Sequence, residues 1–129
     1  MDKQIFKKVF TEFLESSEVN EKDIEKFFSK DYIQYADGKK LNYHEFIKHM
    51  HTLKKSLKYL KVSIKSIAQD NDVIFTNHLI SGETKDEKTF SGEVIAEFRI
   101  RNNQIYYCNE LTHMIEGEDE DRDLGSRID

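Results

Sequence analysis

Proline and tryptophan are absent from this chain of 129 residues, and it has one cysteine and only five glycines. Without proline, no helix or strand is interrupted from within by a missing amide hydrogen. The lone Cys108 excludes an internal disulfide and, with no second cysteine at ligand spacing, the cysteine-rich zinc folds; it reads as a small buried thiol. No apolar run exceeds a few residues, so neither a spanning helix nor a secretory leader is expected, and the expected location is cytoplasmic, away from membranes. Phosphate-cradling glycine loops and the nucleophile elbow are missing, which argues against nucleotide chemistry; no cofactor is expected.

What is present suffices for one core. Apolar residues make up 37%, charged residues 35% and aromatics 12%, the last as nine Phe and six Tyr, a mixture that buries an interior and keeps a solvated surface. The formal charge of −5 resides entirely in residues 116–129, which hold seven acids against two bases. This divides the chain into a domain over 1–116 and an acidic tail over 117–129. Residues 46–69 carry six lysines and no acid. These flank an amphipathic helix in an acidic protein, so a solvated face is expected and nucleic acid is not. His44, His49 and His51 do not suggest a metal, since positions 49 and 51 lie about 200° apart on a helix.

Ile5, Phe6, Val9, Phe10, Phe13 and Leu14 fall on one helical stripe, predicting a first helix over about 2–16 with Asp2 as its cap. Asn20 followed by Asp23 starts a second helix carrying Ile24, Phe27 and Phe28, ending near Ser29. Asn42 with Glu45 starts a third, reaching residue 57. The aromatic-rich stretch 31–38 between the last two reads as a connection closed by an Asp37-Gly38 turn. From residue 59 the period changes to two, giving strands over 59–69, 72–81, 88–101 and 104–115. The fold class is therefore α+β, three N-terminal helices packed on a curved antiparallel sheet of about four to six strands.

Asn102-Asn103 suits a two-residue turn with positive φ at both positions. A regular hairpin then places Phe98, Val94, Ala96 and Gly92 on the core face, opposite Tyr107, Leu111, Asn109 and His113. The small Ala96 and Gly92 leave space beside the polar Asn109 and His113, which are either satisfied by neighbouring protein or held for a ligand.

The element order, with Phe27-Phe28-Ser29-Lys30-Asp31-Tyr32-Ile33-Gln34-Tyr35, the stretch from Glu97 to Ile105, and Asn109-Glu110-Leu111-Thr112, resembles the SnoaL-like branch of the nuclear transport factor 2 superfamily over about residues 3–116. The resemblance implies a cone-shaped, cystatin-like roll with a pocket between helices and sheet, and a homodimer formed through the outer sheet face. Relatives include polyketide cyclases, ketosteroid isomerases, epoxide hydrolases and non-catalytic binding modules. Tyr35 falls where such proteins often have His, and the isomerase base aligns near Ala36 or Asp37. Asn109 and Glu110 match positions where Trp followed by an acid is common, which makes Glu110 a rival site residue if a bulge shifts the register.

The candidate catalytic residues are thus Asp37 and His113, with Tyr32, Tyr35, His78, Phe98, Tyr107 and Asn109 lining the pocket. Asp37 with Tyr32 and Tyr35 supplies a base and oxyanion donors for proton transfer beside a carbonyl, although Asp37-Gly38 is equally an ordinary turn pair. His78 is a partner for His113 if it points inward, which strand alternation leaves open. The expected function is binding of a hydrophobic, oxygen-bearing small molecule, with isomerase, cyclase or hydratase chemistry as its catalytic form. The alternative is a non-enzymatic binding or dimerisation module.

Overall fold

The computed structural model describes residues 1–117. Three helices begin where a side-chain oxygen can accept the amides that a first turn leaves unpaired. The Asp2 carboxylate accepts from the Ile5 amide at 2.9 Å and opens α1 (Lys3–Glu15). Asn20 accepts from the Lys22 amide at 3.0 Å and opens α2 (Glu21–Phe27). Asn42 and Glu45 satisfy each other's backbone amides at 2.9 and 3.0 Å, a reciprocal cap that opens α3 (Tyr43–Ser56).

Six strands follow or interleave: β1 (Phe28–Ala36), β2 (Lys39–Asn42), β3 (Leu57–Asp70), β4 (Val73–Thr84), β5 (Thr89–Arg101) and β6 (Gln104–Glu116). They form one sheet in the order β2-β1-β6-β5-β4-β3. Only β1 and β6 run parallel.

The stretch 31–38, expected as a connection, is instead strand β1 and its turn. Tyr32, Gln34 and Ala36 are buried while Ile33 and Tyr35 are half-buried, a period of two that the aromatic content masked. The Asp37-Gly38 turn is real, with φ of 50° and 87°, and it closes the β1–β2 hairpin.

The helices cover the inner face of the sheet. Phe6 and Phe10 of α1 stack at 5.3 Å, and both meet Phe98 of β5, at 4.7 and 5.2 Å. Phe46, Met50 and Leu53 turn the buried face of α3 onto the same core. Two polar ties seat α1. Lys54 Nζ donates to the carbonyls of Phe13 (2.8 Å), Leu14 (2.5 Å) and Ser16 at the helix end, and Glu15 accepts the Val62 amide of edge strand β3 at 2.9 Å. Desolvation at that seat pulls the Lys54 ammonium down to about 8.

The β5–β6 hairpin turns at Asn102-Asn103, with φ of 52° and 62°, and its first pairs, Arg101 with Gln104 and Ile100 with Ile105, are those of a regular hairpin. Arg99 then pairs with Tyr107 rather than Tyr106, so Tyr106 is an extra residue in β6. Such a bulge reverses the facing of every later residue on its strand. Cys108 is buried, Glu110, Thr112 and Met114 are half-buried, and Asn109, Leu111, His113 and Ile115 are exposed. The acidic segment from residue 118 onward lies outside the described residues. Among the described residues no helix is long and apolar enough to cross a membrane.

Candidate functional site

A cavity of about 100 Å³ lies between the helices and the inner face of the sheet. A single water needs roughly 10–15 Å³ by this measure, so the space admits a compact organic molecule on the order of ten non-hydrogen atoms. Its walls are largely aromatic: Phe10 and Phe13 of α1, Phe46 of α3, and Phe28, Phe90 and Phe98 from the sheet. Half-buried Leu14, Leu60, Ile80 and Met114 form the more exposed rim, while Tyr32, His78 and Cys108 sit at the deep end, each at most 2% exposed.

A glycine lets the Phe90 wall form. A Cβ on Gly82 would stand 2.8 Å from the Phe90 ring and 2.6 Å from the Tyr59 carbonyl oxygen, so only a bare Cα allows the ring to lie there.

The polar groups come from four elements. From β1, the Tyr32 hydroxyl donates to Gln34 Oε1 at 2.7 Å and contacts the Cys108 thiol; burial pushes both the phenol and the thiol well above their usual ranges. From α3 comes the buried His49. From β4, His78 Nδ1 lies 2.9 Å from Thr76 Oγ1, and burial draws the imidazole down to about 4, leaving it neutral at pH 7. Strand β6 supplies Glu110 and Thr112.

Glu110 is the cavity's acid. It pairs with Ala36 on one side and Ala96 on the other, both 2% exposed, and these two methyl side chains leave room around its carboxyl. Among the described residues no lysine or arginine lines the cavity. Burial first, and the nearby Asp37 charge second, push the Glu110 carboxyl up to about 7. A group half-protonated at neutral pH can both give and take a proton.

Of the residues read from the sequence as pocket-lining, Tyr32, His78 and Phe98 lie in the wall of this cavity. The expectation for the last strand is corrected: the Tyr106 bulge turns Tyr107, Asn109 and His113 to the outer face and Glu110 inward. Tyr35 also lies outside, its ring 6.1 Å from that of Tyr107, over which Arg99 stacks at 4.2 Å. His113 stands near Glu93, which pairs with Lys65 at 3.0 Å, and does not meet His78. Asp37 is exposed at its turn, and its carboxylate accepts the Thr112 amide at 2.8 Å.

Sequence reasoning missed Gln34, His49, Cys108 and Thr112 as lining residues, and offered Glu110 only as a rival that a bulge in the last strand would bring in. The available signal was the adjacent pair Tyr106-Tyr107, two large residues that cannot both face the core in a regular strand. No group of three or more His, Cys, Asp or Glu side chains among the described residues is placed to hold a metal ion.

No family model matches the chain. It is 31% identical over 124 residues to an uncharacterised protein of Schizosaccharomyces pombe, covering 96% of this chain and 92% of that one. Among solved structures it is similar to IdmH from Streptomyces antibioticus, assigned as a polyketide cyclase (11% identity, TM-score 0.73, 84% of this chain and 90% of that one). It is also similar to a protein of ketosteroid isomerase-like fold from Catenulispora acidiphila, solved with trimethylamine (12% identity, TM-score 0.71, 85% of each chain).

Proposed function

We propose that this chain, which has the fold of nuclear transport factor 2-like proteins, is a member of the SnoaL-like branch of that superfamily, binds a compact, hydrophobic, oxygen-bearing small molecule and moves a proton on it through Glu110. The observation that carries this reading is one inward carboxyl, flanked by Ala36 and Ala96, in an otherwise largely apolar cavity.

The chemistry follows from the surroundings. The ionised Glu110 is poorly solvated and has no lysine or arginine beside it in the cavity, so it is a stronger base than a surface carboxylate. It can take the acidic hydrogen beside a substrate carbonyl and return it at another carbon or oxygen, the step shared by isomerisation and aldol-type cyclisation. Thr112 supplies a hydroxyl and Cys108 a thiol in the same cavity for the oxygen on which charge develops, while the Tyr32 hydroxyl hydrogen stays on Gln34. Neutral His78 offers a ring nitrogen without a competing positive charge. IdmH, assigned as a polyketide cyclase, supports this class of reaction, and the ketosteroid isomerase-like neighbour supports the fold that frames it.

Homodimerisation through the outer sheet face belongs to the same proposal. Phe75, Ile95 and Leu111 are 46, 53 and 63% exposed there, and the register sets Ile95 beside Leu111. Contiguous apolar residues on a sheet face favour burial against a second copy.

The test is exchange of the hydrogens beside the carbonyl in compact cyclic ketones and enones, followed by NMR in deuterated buffer. Wild type is expected to accelerate exchange for at least one of them, and Glu110→Gln to slow it by about 100-fold or more. Ligands that bind without any exchange, or equal exchange by both proteins, would favour the non-enzymatic binding module.

A further inference from the structure

Asp37 sits outside the cavity yet touches the strand at Glu110 itself and at Thr112, two residues further on. Its backbone amide donates to the Glu110 carbonyl at 3.0 Å, and its carboxylate accepts the Thr112 amide at 2.8 Å. The parallel β1–β6 ladder ends at the Ala36–Glu110 pair, because the chain turns away into β2 at Gly38. Without the Asp37 side chain, the Thr112 amide would have no β1 partner at that edge. Both bonds depend on the turn conformation of Asp37, whose φ of 50° is one that Asp and Asn tolerate better than most residues.

We propose that Asp37 is a positioning residue for Glu110: its two hydrogen bonds pin β6 at the Glu110 carbonyl and the Thr112 amide, which holds the Asp37 carboxylate beside the strand that carries the inward carboxyl. This inference rests on Glu110 as the proton-transfer group. The groups that share the cavity with Glu110 are Tyr32 of β1, His49 of α3, His78 of β4 and Cys108 of β6 itself. None of the four is a fixed positive charge, and the thiol and phenol are held neutral by burial. Lys39 and Lys40 of β2 are exposed beyond the turn. Asp37 is therefore the anion whose field the Glu110 carboxyl feels, and it acts across the strand edge rather than by touching substrate.

The experiment needs no substrate. The full chain is labelled with carbon-13 at glutamate carboxyls, the Glu110 signal is assigned by its loss in Glu110→Gln, and its pH midpoint is followed by NMR. Asp37→Asn keeps an oxygen for the Thr112 amide and a residue suited to positive φ, and removes only the charge. The midpoint is expected to fall by about half a unit, with a smaller difference at about 1 M salt, where exposed charges are screened. Asp37→Ala is expected to lower the midpoint as well and to speed hydrogen exchange at the Thr112 amide. A Glu110 midpoint that is the same in wild type and Asp37→Asn overturns the inference, even if Glu110→Gln abolishes turnover. A shifted midpoint upholds it even if no substrate is turned over.

Discussion

Burying a carboxyl with no cation beside it disfavours its charged form, so Glu110 makes stability depend on pH. Its folded value of about 7 stands above the ordinary 4.5. Between those limits the folded chain holds a proton that the unfolded chain has released, so stability falls as pH rises through the window and levels off above it. The cost at pH 8 is on the order of 2 kcal/mol, less than the full shift implies because the side chain is only half-buried. His78 acts in the opposite sense. Its folded value of about 4 lies below the ordinary 6.5, so the unfolded chain takes up a proton first and stability falls as pH drops from 6.5 towards 4. Urea denaturation at two pH values separates the two. Glu110→Gln is expected to be more stable than wild type by about 2 kcal/mol at pH 8 and nearly equal to it at pH 4.5; an equal difference at both would place the carboxyl in solvent.

Among the elements, β5 and β6 carry the site, and Gly82 sets how closely β4 approaches Phe90. Gly82→Ala forces a methyl against a backbone oxygen at 2.6 Å, which cannot yield as a side-chain end could. A loss of about 1–3 kcal/mol in urea denaturation is expected; an unchanged midpoint would mean that strand spacing is not set there. Element starts were legible in the sequence because capping is local chemistry: Asp2, Asn20 and Asn42 need only the amides of the next turn. The turn at Asn102-Asn103 was legible for the same reason. The facing of β6 was not, because a bulge depends on how two strands twist together. The extra Tyr106 lies under Arg101, whose guanidinium stacks on its ring at 4.4 Å, a contact that no spacing within β6 announces. One residue of slip exchanged Asn109 for Glu110 and His113 for Thr112, so the small Ala96 correctly marked a polar neighbour but the wrong one. Strand β1 escaped for a related reason, since its parallel partner β6 lies about seventy residues away.

At the scale of the molecule, one sheet serves two surfaces. Its inner face makes the cavity, and its outer face leaves Phe75, Ile95 and Leu111 in contact with water. Leu111→Glu puts a charge beside Ile95 in that apolar patch, on the face away from the cavity. It is expected to convert a dimer to a monomer in light scattering; a variant of unchanged mass would exclude this face as the interface. The central claim is narrower than either surface: a bulge at Tyr106 brings a proton-holding carboxyl into an apolar cavity. A carbon-13 titration of Glu110 in the wild-type chain tests it most directly. A midpoint near 7 is predicted, and one at the ordinary value of 4.5 would put Glu110 in water and remove the cavity's acid.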